Sequence, residues 1–260
     1  MSTATKTKKQ ISTFKIKSTS NFIGFLKRFS AINTQLLLEM TATHIQAKSY
    51  TPDRAVVKFS RLKIEDVFEG TSPADLVKIG LHDINKIVNI FKYFDSGDEI
   101  FMDLRYDEIN DETIGIEMVF RSSTLEVNVG CQDLALFPVF ISADALKRIV
   151  KSVVDEKTME FEFPSESYAK VKSLCSIDSA ADLLRIKIKD NKVFFTGKSF
   201  RFELMELHGV EVQNLELAFK NEQFGYIDQE KATFHISPQK ILVRSDADVS
   251  DTLIVLGRTE

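Results

Sequence analysis

The strongest pattern in the chain lies between residues 21 and 48. Phe22, Phe25, Leu26, Phe29 and Ile32 recur at spacings of three and four, which puts them on one face of a helix. Lys27 and Arg28 fall off that face. The helical run stops near Asn33, and Leu36, Leu37 and Leu38 open an extended, buried segment. Met40 to His44 reads as a turn into a second strand at 45–48. A short strand at 14–17 precedes the helix, with Ser20 as the expected N-cap.

The segments 55–59, 64–68 and 76–81 read as strands. A second helix is predicted over 82–94, where Ile84, Ile87, Val88, Phe91 and Phe94 form the apolar stripe. Counted from Ile84, these positions repeat the offsets that the first helix shows counted from Phe22. One pattern used twice, 62 residues apart, indicates an internal duplication.

Beyond residue 100 the period changes to two. Ile100, Met102 and Leu104 form one face of a strand. Ile114, Ile116, Met118 and Phe120 form one face of the next, and Leu125, Val127 and Val129 of a third. Such alternation describes half-buried antiparallel strands. The acidic stretch 107–112 is expected at a hairpin tip. Residues 131–140 have neither period, and Pro138 argues against regular structure there, so an apolar connector is expected.

The second half follows the same grammar. Helices are predicted at 142–154 and 165–176, around a strand at 159–163. Strands follow at 183–189, 192–197, 200–207 and 212–220, with Asp190-Asn191 as a hairpin turn. A weaker helix at 221–232 and two last strands complete the pattern. The expected fold class is α+β: two similar domains, each with antiparallel sheets carrying helices on one face. The expected boundaries are a basic tail at 1–11, a first domain at 12–132, a partly helical connector at 133–158 and a second domain at 159–260.

Charge sharpens this picture. The 260-residue chain has a formal net charge of -4, yet five lysines and no acid fall within residues 1–17, so the body is more acidic than the whole. Such a body does not coat DNA through bulk charge, but gathered cations on one surface can hold it. The predicted helices carry such cations: Lys27 and Arg28, Lys86 and Lys92, Lys147, Arg148 and Lys151, Lys170 and Lys172. Their stretches hold few acids: none at 21–33, Asp83 alone at 82–94 and Asp144 alone at 142–154. Together they are the candidate DNA-binding surface.

Enzymatic chemistry finds no foothold. His44, His82, His208 and His235 lack partners at metal-ligand spacing, and there is no glycine-rich phosphate loop or nucleophile elbow. No catalytic residue, metal or cofactor is assigned, and the chain is read as a non-enzyme. Cys131 and Cys175 form no paired motif and read as reduced, partly buried thiols. The opening MSTATKTKKQ has no apolar core, so no secretory leader is expected. No apolar run nears the roughly 20 residues of a membrane span, so no membrane partner is expected.

Three stretches carry a resemblance to a known family. FLKRFSAINTQLLLEM is similar to the first helix and strand of the DNA sliding clamps of T-even-type bacteriophages. LVKIGLHDINKIVNIFKYF resembles the strand and second helix of their first domain, and SESYAKVKSLCSIDSAADLLRIKIKDNKVFFTG the helix and hairpin of their second. More distantly the chain resembles proliferating cell nuclear antigen. The resemblance is one of serial order over residues 12–258, and the helix at 142–154 departs from it.

The resemblance implies a DNA-clamp fold and a homotrimeric ring, with two helices per domain lining a central channel for duplex DNA. It implies copies joined edge to edge through Leu125, Val127 and Val129 on one strand and Phe200, Phe202 and Leu204 on another. It implies a pocket for a DNA polymerase C-terminal peptide formed by Met40, His44, Leu134, Leu136, Phe137, Pro138, Ile254, Val255 and Leu256. It further implies a clamp loader ATPase as partner, late-transcription factors as further partners, and work in the cytoplasm of an infected bacterial host. The other readings of the residues are a monomeric DNA-binding replication accessory protein and a non-enzymatic structural or virion protein.

Overall fold

The computed structural model describes residues 10–70, 73, 75–109, 111–137, 142–207, 214–228, 232–245 and 250–255. The chain divides into two compact units, residues 1–49 with 59–140, and 50–58 with 141–260.

The first unit runs β1 (Gln10–Ile16), α1 (Thr19–Ser30), β2 (Leu36–Met40), β3 (His44–Tyr50), β4 (Val56–Lys63), β5 (Phe68–Gly70), β6 (Val77–Leu81), α2 (Ile84–Ile90), β7 (Phe101–Ile109), β8 (Glu112–Arg121) and β9 (Glu126–Gly130). The first three residues of β4 group with the second unit. That unit continues with α3 (Ala143–Asp155), β10 (Met159–Phe163), α4 (Ser165–Cys175), β11 (Leu183–Lys189), β12 (Lys192–Thr196), β13 (Arg201–Glu206), β14 (Leu215–Lys220), α5 (Asn221–Phe224), β15 (Ala232–Ser237), β16 (Lys240–Ser245) and β17 (Ser250–Val255).

The order contains one β-α-β-β-β module four times: β1-α1-β2-β3-β4, β6-α2-β7-β8-β9, β10-α4-β11-β12-β13 and β14-α5-β15-β16-β17. Pairing follows the modules. Each opening strand pairs antiparallel with the strand after the other module's helix, so β1 meets β7 and β6 meets β2. In the second unit β10 meets β15 and β14 meets β11 by the same rule. Hairpins then extend each module, as in β2–β3, β7–β8–β9, β11–β12–β13 and β15–β16–β17. The duplication expected from the two helical stripes is thus present in the strand register. Helix α3 and the short strand β5 stand outside the modules.

Aromatic rings fill both cores. Phe22 of α1 lies 5.9 Å from Phe91, just after α2, and both contact Phe120 of β8. In the second unit Phe163 of β10 touches Tyr168 of α4, Phe195 of β12, Phe224 of α5 and Phe234 of β15. The Tyr168 hydroxyl donates to the Ile227 carbonyl at 2.7 Å, so its one polar atom is satisfied inside the core.

Several local expectations shift. Helix α1 starts earlier than expected because Ser18, not Ser20, caps it, accepting from the Asn21 amide three residues on. Residues 64–66 form a 3-10 turn rather than a strand. The helix expected through 94 ends at Ile90 and tightens into a 3-10 turn at Phe91–Tyr93. The weak helix expected at 221–232 is one turn, stopping before Gly225, and Ala232 already belongs to β15. The turn at Asp190-Asn191 is as expected, with φ of 52° and 58°, the left-handed pair a two-residue hairpin needs.

The second core yields a direct check. Phe163 is fully buried, and four rings pack on it. Truncation by Phe163→Ala removes transfer energy and leaves a cavity, for a loss of about 3–5 kcal/mol. Denaturant melts should show that loss, whereas the exposed change Lys189→Ala should stay within about 0.5 kcal/mol of the parent.

Candidate nucleic-acid interface and edge strands

The apolar stripes decide where the helix cations stand. Helix α1 buries Phe22, Phe25, Leu26 and Phe29, and so leaves Lys27 exposed and Arg28 half-buried. Both sit in its last turn, where cations also favour the helix dipole. Helix α2 packs against α1 and buries Ile84, Ile87, Val88 and Ile90, leaving Lys86 exposed. Lys92 is exposed in the 3-10 turn that follows. In the second unit α4 buries Tyr168, Val171 and Cys175 and exposes Lys170 and Lys172.

A contrast in pairing separates these cations from those on the strands. Cross-strand carboxylates hold most strand cations: Lys15 by Glu99, Lys78 by Glu112, Arg105 by Glu117, Arg121 by Asp103 and Lys192 by Glu203. Glu216 takes both Arg185 and Lys187. Asp103 accepts from two side chains, Arg121 and Thr13. Burial acts to raise its pKa, but bonds from Arg121 and Thr13 outweigh that and hold the carboxyl below its usual range. Among the described residues, no ion pair engages Lys27, Lys86, Lys92, Lys170 or Lys172. Many strand cations are thus neutralised in place, although among the described residues Arg61, Lys189, Arg201 and Lys240 have no ion pair, and the five lysines named carry charge available to an anion.

Helix α3 stands apart from this set. It packs on β15 and β16, with Leu146 and Val153 buried and Lys147, Arg148 and Lys151 exposed. The core face of β15 carries Phe234 and Ile236, which the ring cluster with Tyr168 of α4 covers. His235 and its cross-strand partner Leu242 point to the other face by strand alternation, and both are buried there. Helix α3 covers that second face. Its three cations are therefore on the side of the sheet opposite Lys170 and Lys172, and the single basic surface expected from sequence divides in two.

The strands expected to join copies are both edges among the described residues. Strand β9 pairs β8 alone, and β13 pairs β12 alone. Leu125, Val127 and Val129 pack on their own core, so β9 offers a neighbour its backbone rather than these side chains. Phe200, Phe202 and Leu204 are half-buried. Leu204 is the extra residue of a bulge, because Val193 faces Met205 and Phe194 faces Glu203. The Arg201 guanidinium lies 3.9 Å from the centre of the Phe194 ring.

The connector begins with a 3-10 turn, Leu134–Leu136, capped by Asp133 accepting from the Ala135 amide. Leu134 is half-buried, Leu136 is 68% exposed, and Phe137 is buried. The Phe137 ring lies over Gly80, where a Cβ would come within 2.7 Å of its Cε2 and 2.5 Å of the Gln132 carbonyl. The Gln132 amide donates to the Gly80 carbonyl at 2.8 Å. Phe137 thus fastens the connector, and Leu136 is the apolar residue it presents. Met40 is buried in the first core, and His44 is half-buried with its Nδ1 2.8 Å from the Thr43 hydroxyl. Burial, then the nearby charges of Arg61 and Lys63, hold the His44 pKa below the usual imidazole value. Ile254 and Val255 belong to β17, while Pro138 and Leu256 lie outside the described residues.

Two residues escaped the sequence reading. Tyr93, beside Lys92, is 75% exposed, an aromatic one position off the apolar stripe. Lys58 is buried and donates to Asp228 at 2.5 Å and to the Tyr226 carbonyl at 2.9 Å. Its signal was a cation directly after Val56 and Val57 in a strand pattern. Burial raises the thiol pKa of Cys131 to about 12 and of Cys175 to about 11, so both are poor nucleophiles.

Comparison with known proteins places this geometry. No protein-family model matches the chain, and no curated protein matches it in sequence. Solved structures do match in fold. Proliferating cellular nuclear antigen from Entamoeba histolytica aligns with a TM-score of 0.69 at 12% identity, over 95% of this chain and 98% of its own. PCNA of A. fulgidus, bound to the C-terminal region of FEN-1, aligns at 0.65 and 12% identity over 96% and 99%. The PCNA2-PCNA3 complex of Sulfolobus tokodaii gives 0.65 and 12% over 95% and 100%. The chain has the DNA-clamp fold.

The fastening at Gly80 makes a prediction that separates the two connector residues. Phe137→Ala should destabilise the protein by about 3–5 kcal/mol, the usual cost of emptying a buried ring site. Gly80→Ala should also destabilise, since its Cβ has no room. Leu136→Ala should leave stability within about 0.5 kcal/mol. Thermal unfolding of the three variants checks the order.

Proposed function

We propose that this protein is a sliding clamp, a non-enzymatic ring that encircles duplex DNA and tethers a replicative polymerase. The observation that carries this reading is the pairing contrast on a clamp fold. Many sheet cations are neutralised in place, while Lys27, Lys86, Lys170 and Lys172 on the helices, and Lys92 just after α2, are left for phosphate. Arg28, half-buried on α1, belongs to the same proposal. A few such contacts give a sequence-independent, salt-sensitive hold weak enough to slide. Retention then comes from topology, and the acidic body disfavours DNA elsewhere.

The proposed ring is a homotrimer closed by pairing β9 of one copy with β13 of the next, which would satisfy two open edges at once. Residues 12–132 and 159–260 are the proposed clamp domains, joined by 133–158. The S. tokodaii complex of two PCNA chains favours assembly between clamp chains. The A. fulgidus structure, which holds a C-terminal region of FEN-1, favours docking of a partner's C-terminal peptide. Here that peptide is taken to be the polymerase's, with the connector residues Leu134 and Leu136 and the half-buried His44 among its proposed contacts. A loader ATPase to open the ring, service in late transcription and work in an infected bacterial cytoplasm belong to the same proposal, on the strength of the phage-clamp resemblance.

Light scattering across a dilution series tests ring closure. The 29.5 kDa chain should form a species near three chains that dissociates on dilution. A strict monomer at high concentration would remove topology and favour a monomeric DNA-binding accessory protein. Lys27→Glu with Lys86→Glu should leave mass and melting unchanged and reduce processive synthesis on a primed template. Unchanged processivity would remove those helices from the DNA surface.

A further inference from the structure

The second basic surface, on α3, has no role in the function proposed above. Lys147, Arg148 and Lys151 occupy one exposed quadrant of the helix, at positions i, i+1 and i+4. Asp144 and Asp155 lie one turn away on either side, yet among the described residues no ion pair joins either to the three cations. On that sheet face β10 carries Glu160 and Glu162, and Glu160 is engaged by Lys157 and His235. Helix α3 is also outside the four modules, so the fold does not need it to complete a sheet or to pair a strand. Its inner side is nonetheless built to stay: Ser142 caps it by accepting from the Ala145 amide at 3.1 Å, and Val153 and Leu146 are buried. The result is a capped, packed helix that holds three cations without an ion pair among the described residues.

We propose that this face of α3 is a docking site for an acidic segment of a partner protein, distinct from the DNA surface. The inference rests on the clamp reading in one respect, that duplex DNA occupies the α4 side. A duplex threaded past Lys170 and Lys172 cannot also reach the opposite face of the same sheet. An anion for Lys147, Arg148 and Lys151 must come from elsewhere, and a carboxylate-rich protein segment fits cations spread along one helix quadrant. Rim charges of this kind act mainly on the rate of encounter and on orientation.

Three full-length proteins test this: the parent, K147E/R148E/K151E, and K170E/K172E. Each is titrated against two probes at physiological salt, a fluorescein-labelled poly-glutamate peptide and a labelled DNA duplex. The α3 reversal should weaken the peptide about tenfold or more and leave the duplex unchanged. The α4 reversal should weaken the duplex and spare the peptide. Equal peptide affinity in parent and α3 variant would overturn the proposal. Loss of duplex affinity in the α3 variant matching that of the α4 variant would also overturn it, making α3 a nucleic-acid surface. A peptide effect confined to α3, with no duplex effect from α4, would uphold the docking site while removing the clamp reading. Should charge reversal unfold the protein, K147Q/R148Q/K151Q removes the charge alone and carries the same expectations.

Discussion

A β-α-β-β-β module has an apolar helix stripe and an apolar sheet face, and it cannot bury both by itself. This constraint shapes the chain. Each module lends its opening strand to its neighbour's sheet, β1 to β7 and β6 to β2 in one unit, β10 to β15 and β14 to β11 in the other. The exchange brings two helix stripes onto one core, where Phe22 meets Phe91 in the first unit and Tyr168 meets Phe224 in the second. Helix propensity alone would not hold elements as short as α2 and α5; the shared core does.

The same arrangement distributes charge. Strand side chains that face outward sit opposite neighbours across a ladder, so a lysine finds a glutamate within reach, as Lys78 finds Glu112. Lys27, Lys86, Lys170 and Lys172 on the helices have no ladder partner and, among the described residues, no ion pair. A protein can thus be acidic overall and still present basic helix faces. The open edges lie where two of the modules end, because the last strands of the second and third modules, β9 and β13, each have a partner on one side among the described residues. For β9 and β13 the unsatisfied backbone is the feature available for assembly.

Much of this was legible in the residues. The stripes of α1 and α2, the alternation of β7 and β9, and the left-handed turn at Asp190-Asn191 are local signals, and each appears where its period places it, whereas in β8 a bulge makes Ile116 the extra residue and leaves it 44% exposed instead of on the apolar face expected for it. The repeat was visible because two stripes share one set of offsets. Less legible were the ends: two serines competed to cap α1, and Gly225 cut α5 to a single turn although Phe224 and Ile227 suggested more. The resemblance in serial order pointed to a clamp, and the fold of solved clamps agrees at 12% identity. At that identity the spacing of elements survives where individual residues do not.

What the sequence by itself determined is which side of each element is apolar, since periods of two and 3.6 are properties of the local backbone. Only the tertiary structure decided what covers each side. It turned Phe137 inward onto Gly80 and left Leu136 outward, although both are apolar residues of one connector. It drew residues 50–58 into the second unit and buried Lys58 against Asp228, 170 positions away. It set α3 on the face of the sheet opposite α4, although both are amphipathic helices with lysines on their exposed sides. The reason is common to all three. Burial and pairing depend on residues far apart in sequence, and a local period carries no record of its distant partner.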